Sequence, residues 1–280
     1  MIPAPFDYEV AESPEHALEL LGTREDAKLL AGGHSLLPAM KLRLARPSLL
    51  VDISRIAELS YIRDGRDHIA IGALTRHADL VEAPLLQEHC PIVSHTAGQV
   101  GDPQVRHRGT IGGSLAHGDP ASDLPAVVLA LGADLLARGA AGERIVPASE
   151  FFSGVFQTAV GPGEMLVEIR VPKLTSTTGW SYTKLSRRAQ DWATVAVAAL
   201  VERRNGTIAN ASIALTNMGA TPLRATRAEE AIASGASVAD ASEMIAEGTE
   251  PSSDTAASAQ FRRHLATVIG RRALEAAVSS

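Results

Sequence analysis

The chain has 280 residues, 45% of them hydrophobic and 4% aromatic, and its net charge is −6. This composition can bury a large core, and without a basic stripe we expect no nucleic-acid partner. The only cysteine, Cys90, excludes an intrachain disulfide and any metal site built from cysteines alone. The N-terminal residues lack a signal-peptide pattern, and no apolar run approaches the roughly 18 residues of a membrane span. We therefore expect a cytoplasmic protein without a membrane span.

Residues 1–55 predict a small α/β unit. Ser13 before Pro14 is typical of a helix N-cap followed by a first-turn proline. The run AKLL predicts a short buried strand that ends at Gly32-Gly33, and PSLLVDIS predicts a second strand. The segment LLPAMKLRLARP between them stays ambiguous.

Residues 56–174 predict a second α/β unit. HIAIGAL predicts a strand, and Thr75 is typical of the cap of the helix that follows it. Helices are predicted in PIVSHTAGQVG and over 124–131. A last strand is predicted over 165–171, with Pro172 at its end.

The hydroxyl-rich segment KLTSTTG predicts a domain boundary, followed by a third unit over 175–280. Strands are predicted over 182–185, 193–202 and 208–217, and Asn205-Gly206 predicts a tight hairpin turn between the last two. Alanine-rich helices follow to residue 280. Strands followed by helices indicate an α+β unit with a three-stranded antiparallel sheet.

Two similar glycine motifs suggest a shared ligand. Gly32-Gly33 is followed by Ser35, and Gly112-Gly113 is followed by Ser114. Glycine permits positive φ and close approach of a ligand, and consecutive free N–H groups bind anions. Two such turns could hold the two phosphates of a dinucleotide, but each could also be a plain turn with its serine as a local cap. Neither a G-x-G-x-x-G fingerprint nor a P-loop is present.

The motifs AGGHS and TIGGS resemble the two flavin-binding loops of the FAD subunits of molybdenum hydroxylases. That family includes the medium subunit of carbon monoxide dehydrogenase and the flavin domain of xanthine dehydrogenase. Further matches are RPSLLVDIS, IAIGALTRHADL, DPQVRHRGTIGGSLAHGDPASDLP, GEMLVEIRVP and KLSRRAQDWATVAVA. The resemblance implies a fold of the vanillyl-alcohol oxidase (PCMH) type, in which two small α/β subdomains hold FAD and a C-terminal α+β domain follows.

The resemblance also implies which residues contact a noncovalently bound FAD. The implied pyrophosphate loops are Ala31, Gly32, Gly33, His34, Ser35 and Leu36, and Thr110, Ile111, Gly112, Gly113 and Ser114. Asp123 is the implied contact of the ribityl or ribose hydroxyls, and His117 and Asp119 are further implied contacts. Leu166 and Lys184 are implied at the flavin ring, and Asp191 and Trp192 beside it. No residue acting on substrate is implied. The histidines show no metal-ligand spacing, so we expect no metal site.

Several of these residues have simpler interpretations. Asp123 is a possible N-cap of the following helix, Leu166 an ordinary core residue, and Lys184 an exposed strand residue. Trp192, where relatives often carry Tyr or Ile, could pack at a domain interface or lie beside the flavin. His34 could bond covalently to the flavin, as a histidine does in distant relatives of this fold, although the close family binds FAD noncovalently.

The implied function is electron transfer inside a complex. A large molybdopterin subunit oxidises the substrate, a small subunit with two [2Fe-2S] clusters relays electrons, and this FAD subunit passes them to an acceptor, within a dimer of heterotrimers. One cysteine cannot hold those clusters, so this chain needs its partners. The alternatives are a stand-alone FAD-dependent oxidase of the same fold and a binding module that has lost its flavin.

Overall fold

The computed structural model describes all residues, 1–280. Its first unit is a three-stranded sheet in the order β1-β3-β2, with both strand pairs parallel. Its elements are β1 (Asp7–Val10), α1 (Pro14–Leu21), β2 (Lys28–Leu30), α2 (Leu36–Lys41) and β3 (Leu49–Asp52). Ser13 caps α1 as predicted, because its hydroxyl accepts a hydrogen bond of 3.1 Å from the His16 N–H. The ambiguous segment of the sequence forms α2, directly after the first glycine pair.

The second unit is a five-stranded antiparallel sheet. Its strands are β4 (Ile62–Asp64), β5 (His68–Gly72), β6 (Asp134–Gly139), β7 (Gly142–Pro147) and β10 (Glu164–Pro172), with the hairpin β8 (Phe152–Gly154) and β9 (Gln157–Thr158) beside them. Its helices are α3 (His77–Glu82), α4 (Pro84–His89), α5 (Pro91–Gly98), α6 (Pro103–Arg106), α7 (Ile111–His117), α8 (Asp123–Leu131) and α9 (Ala148–Phe151). A 3₁₀ turn over Ala57–Leu59 precedes β4. The last strand, β10, returns to the middle of the sheet, between β5 and β6.

Two local predictions in this unit are wrong. Thr75 does not cap α3, which begins after Arg76, because its hydroxyl donates to the Tyr61 carbonyl oxygen at 3.0 Å. The second glycine pair is not a turn that closes a strand. Gly112 and Gly113 lie in the first turn of α7, where the Thr110 side chain serves as the cap.

The third unit has one strand more than predicted. A four-stranded antiparallel sheet runs in the order β11-β12-β13-β14. Its elements are β11 (Thr178–Leu185), β12 (Val195–Arg204), β13 (Thr207–Thr216) and β14 (Leu223–Arg224), followed by α10 (Thr226–Ala233), α11 (Val238–Glu243) and α12 (Ala259–Ser279). The predicted turn is present, with φ of 54° at Asn205 and 79° at Gly206. The extra strand is two residues long, too short for an alternating pattern.

Strand β12 explains how the second and third units share a core. Its residues Ala196, Ala198 and Leu200 belong to the same buried cluster as helix α8, whereas Val195 and Val197 face the cluster that contains α12. Both faces of β12 are therefore covered, which is why its sequence is an almost continuous apolar run. No helix of the structure is long and apolar enough to cross a membrane.

Candidate functional site

The two glycine motifs lie side by side, although about 80 residues separate them in the sequence. A Cβ atom at Gly32 would lie 2.2 Å from the carbonyl oxygen of Arg108, so the two backbones touch directly. A Cβ at Gly113 would lie 3.7 Å from the Cβ of Ala31. Gly33 has a φ of +78°, which an L side chain rarely adopts. Glycine at 32 thus permits the close approach, and glycine at 33 permits the turn.

The first segment presents a row of unused donors. None of the backbone N–H groups from Gly32 to Leu36 donates a hydrogen bond within the protein. Ser35 directly precedes α2, and its hydroxyl makes no capping hydrogen bond either. Consecutive free N–H groups around a left-handed residue form a concavity that binds anions. This segment fits a phosphate group without a lysine or arginine.

The second segment uses most of its donors internally. The N–H groups of Ile111 and Gly112 donate to the carbonyl oxygens of Thr75 and Ala73, at 3.0 and 2.9 Å, and Gly113 N–H donates to the Thr110 hydroxyl at 3.1 Å. A Cβ at Gly112 would lie 2.4 Å from that of Ala73, so this glycine lets α7 pack closely against the end of β5. The Thr110 N–H and the Ser114 hydroxyl make no bond within the protein and remain available to a ligand.

A buried ion pair joins α8 to β11. The Asp123 carboxylate accepts hydrogen bonds from the Tyr182 hydroxyl at 2.6 Å and from the Lys184 ammonium at 2.9 Å. The ammonium also donates to the Gln99 carbonyl oxygen at 3.1 Å. The side chains of Lys184 and Asp123 are only 4% and 6% exposed. Lys184 is therefore not an exposed strand residue, and Ser122, not Asp123, occupies the N-cap of α8.

Burial dominates the electrostatics of this group. It raises the pKa of Asp123, while Lys184 and Tyr182 act in the opposite direction. Burial together with the neighbouring carboxylate raises the pKa of Tyr182 well above its usual value. Tyr182 therefore remains a hydrogen-bond donor throughout the physiological range.

A cavity of about 450 Å³ adjoins the ion pair. Its walls are Gly98, Gln99, Gly101, Asp102, Pro103 and Arg106 on one side and Lys184, Ser186, Ala189 and Gln190 on the other. A second cavity of about 520 Å³ lies between α1 and the β6–β7 hairpin. Because Glu15, Glu19 and Glu143 line it, the second cavity is poorly suited to phosphate groups.

The remaining candidates are more dispersed. The half-buried His117 ring lies 4.9 Å from the Phe156 ring, and Asp119 accepts a 2.9 Å hydrogen bond from the Ala121 N–H. Leu166 is buried in β10, beside a register shift of that strand. His34 is exposed, and Asp191 is half-buried. Trp192 is 65% exposed, so it does not pack at a domain interface, and it does not line the cavity.

Three neighbours of the site were missed in the sequence analysis: Tyr182, Gln99 and His77. Tyr182 could have been found, because residues two apart on a strand share a face and Lys184 is two positions later. Gln99 contributes only its backbone carbonyl, so its side chain carries no signal. His77 packs under Gly109, where a Cβ would lie 2.9 Å from the imidazole Cδ2. Burial, Arg106 and His34 lower the pKa of His77 to about 4.

Comparison with known proteins gives matches along nearly the entire chain. Residues 4–174 match the model of the FAD binding domain in molybdopterin dehydrogenase, and residues 180–277 match the CO dehydrogenase flavoprotein C-terminal domain. The carbon monoxide dehydrogenase medium chain of Hydrogenophaga pseudoflava is 42% identical over 99% of this chain and 98% of its own. The 6-hydroxypseudooxynicotine dehydrogenase complex subunit alpha of Paenarthrobacter nicotinovorans is 41% identical over 99% of this chain and 96% of its own.

A solved structure gives the same result. Carbon monoxide dehydrogenase from Hydrogenophaga pseudoflava, in a form that lacks the Mo-pyranopterin moiety, superposes with a TM-score of 0.96 and 44% identity, covering 100% of this chain and 99% of the other. The match confirms the expected α+β FAD-binding fold, and the family matches confirm FAD as the cofactor and an oxidoreductase subunit as the protein class. This chain belongs to the FAD-binding medium subunits of the molybdenum hydroxylases.

Proposed function

We propose that this chain is the electron-transfer subunit of its complex and binds one FAD noncovalently. Bound FAD supplies the redox chemistry, taking electrons from the [2Fe-2S] clusters of a small partner subunit and delivering them to an external acceptor. In this proposal a large molybdopterin subunit oxidises the substrate. The complex is a cytoplasmic dimer of heterotrimers.

The row of free N–H groups over residues 32–36 carries this proposal. These donors, with Ser35, Thr110 N–H and Ser114, bind the pyrophosphate, and the close contact of Gly32 with Arg108 keeps the two segments together. The internally bonded amides of Ile111 and Gly112 hold the second segment in place instead of contacting the phosphates.

The cavity beside Lys184 is the proposed position of the isoalloxazine ring. The ammonium there stabilises negative charge on the ring. Leu166 does not line this cavity, and we place its backbone at the ring edge on the family resemblance alone. Asp123 keeps a second lone pair on each carboxylate oxygen for a ribityl or ribose hydroxyl. His117, Asp119, Asp191 and the exposed Trp192 are placed at the periphery of the cofactor.

The partners and the domain limits are part of the same proposal. Relatives named as a medium chain and as a subunit of a complex support an assembly with other chains. We propose three domains, over 1–55, 56–174 and 175–280. One sheet of three or more strands falls within each of these ranges, which supports the division.

The visible spectrum of the purified full chain tests this proposal. We expect flavin absorption bands, and after denaturation we expect FAD in the soluble fraction. Colour that stays with the precipitated protein would contradict noncovalent binding and would indicate His34. A chain that stays colourless with added FAD, alone and in the assembled complex, would overturn the proposal. Copurification with iron and molybdenum distinguishes the electron-transfer subunit from a stand-alone oxidase.

A further inference from the structure

Tyr182, Asp123 and Lys184 form a closed hydrogen-bonded triad. Each Asp123 carboxylate oxygen has one side-chain donor, the Tyr182 hydroxyl on Oδ1 and the Lys184 ammonium on Oδ2. The triad joins α8 to β11 and is almost completely buried, since Tyr182 is 4% exposed and the two charged side chains are similarly buried. All three members are therefore held in one arrangement.

The ammonium of Lys184 is directed by this arrangement. An ammonium carries three protons, and two of them are donated, to Asp123 and to the Gln99 carbonyl. One N–H remains, and Lys184 lines the 450 Å³ cavity. The two internal bonds therefore fix both the position of the charge and the direction of its free donor.

Without Tyr182, Asp123 would hold the Lys184 ammonium less firmly. A buried carboxylate is costly unless every oxygen is paired, and a hydrogen bond to a charged group is among the stronger ones. The Tyr182 hydroxyl lies on the side of the carboxylate that Lys184 does not reach. Its dipole offsets part of the negative charge that lies beside the ammonium.

We propose that Tyr182 is a positioning residue for the redox cofactor. Tyr182 acts through Asp123, and it fixes the location of the Lys184 ammonium and the net charge of the Asp123–Lys184 pair at the cavity wall. This inference rests on the proposed function, because it places the flavin ring in that cavity. Tyr182 itself touches neither the substrate nor the cofactor. Its removal should change the midpoint potential of the flavin without abolishing FAD binding.

The test is the flavin midpoint potential of the FAD-loaded full chain with and without Tyr182→Phe. Loss of the hydroxyl leaves the negative charge of Asp123 less offset, so the carboxylate cancels more of the Lys184 charge, the reduced flavin is less stable and the potential falls. We expect the ratio of reduced to oxidised flavin at a fixed potential to fall on the order of tenfold. Asp123→Asn should shift the ratio in the opposite direction, because it removes the negative charge, and it carries the test if Tyr182→Phe does not fold.

Tyr61→Phe is the matched control. Tyr61 donates to Glu168 at 2.6 Å, and Glu168 pairs with Arg170 at 2.6 Å, so the bonding pattern is the same, but none of these residues lines the cavity. Tyr61→Phe should leave the potential unchanged. In a Lys184→Met background, Tyr182→Phe should have no further effect, since the residue acts through the ammonium.

The outcomes separate this inference from the proposed function. If the wild-type chain binds FAD and Tyr182→Phe has the same flavin midpoint potential as wild type, the positioning role alone is overturned. An equal shift with and without Lys184 would also overturn it, because the effect would then be structural. A wild-type chain that binds no FAD, alone or in its complex, would overturn both.

Discussion

A methyl group at position 32 would meet the Arg108 carbonyl oxygen at 2.2 Å, far inside any real contact. We predict that Gly32→Ala forces the two glycine segments apart and weakens FAD binding at least about tenfold, which corresponds to the loss of roughly one hydrogen bond to an anion. Titration of the apoprotein with FAD measures this. Gly22→Ala is the control, because its Cβ would lie at an ordinary 3.4 Å from its nearest neighbour. Equal affinities in the two variants would contradict the prediction.

His77 makes stability depend on pH. Its folded-state pKa of about 4 lies below the ordinary 6.5, so the unfolded chain binds the proton more readily. The stabilisation is complete above pH 6.5 and is lost as the pH falls towards 4. We expect wild type to lose about 2 kcal/mol more free energy of unfolding between about pH 7 and pH 5 than His77→Phe does. Parallel pH profiles of the two proteins in chemical denaturation would contradict this.

Helix α7 depends on its cap, because two glycines occupy its first turn. Thr110→Ala removes the hydroxyl that accepts from Gly113 N–H, so we predict a loss of about 1 kcal/mol of stability together with weaker FAD binding. Thr110→Ser should retain both. Ser13→Ala removes an equivalent cap at α1, with the same 3.1 Å bond, and should cost similar stability with no change in FAD affinity. An unchanged FAD affinity in Thr110→Ala would show that the cap of α7 does not support the FAD site.

Elements with a strong local pattern were predictable, and elements set by distant partners were not. The apolar runs of β3, β10 and β12 and the Asn205-Gly206 turn follow from local sequence alone. The second glycine pair was mistaken for a turn because Gly112 serves packing against Ala73, a contact between segments far apart in the chain. Lys184 was singled out in the sequence, but its burial depends on Asp123 and Gln99, which only the tertiary fold brings to it.

At the scale of the whole molecule, Arg262 ties the C-terminal helix to the rest of the third unit. Its side chain is 1% exposed, pairs with Asp254 and donates to the carbonyl oxygens of Ser252 and Thr194. We predict that Arg262→Met lowers the free energy of unfolding by about 3 kcal/mol, because buried acceptors lose their donor.

Arg263→Met is the neighbouring control. Arg263 is exposed and makes a single hydrogen bond, so its loss should change stability by no more than about 0.5 kcal/mol. Chemical denaturation of both variants compares them directly. Equal losses would show that the buried hydrogen bonds of Arg262 contribute little.

The ion pair between Asp123 and Lys184 also limits how the molecule can move. It joins α8 to β11 across the boundary between the second and third units, beside the apolar core that α8 shares with β12, so a hinge that separated the units would break the pair and expose that core to water. Domain opening is therefore an unfavourable route for a cofactor or an electron acceptor to enter and leave. Movement of the segment over residues 186–192 is a less costly way to open the cavity. This segment supplies one cavity wall, and its side chains from Arg187 to Gln190 are exposed to solvent.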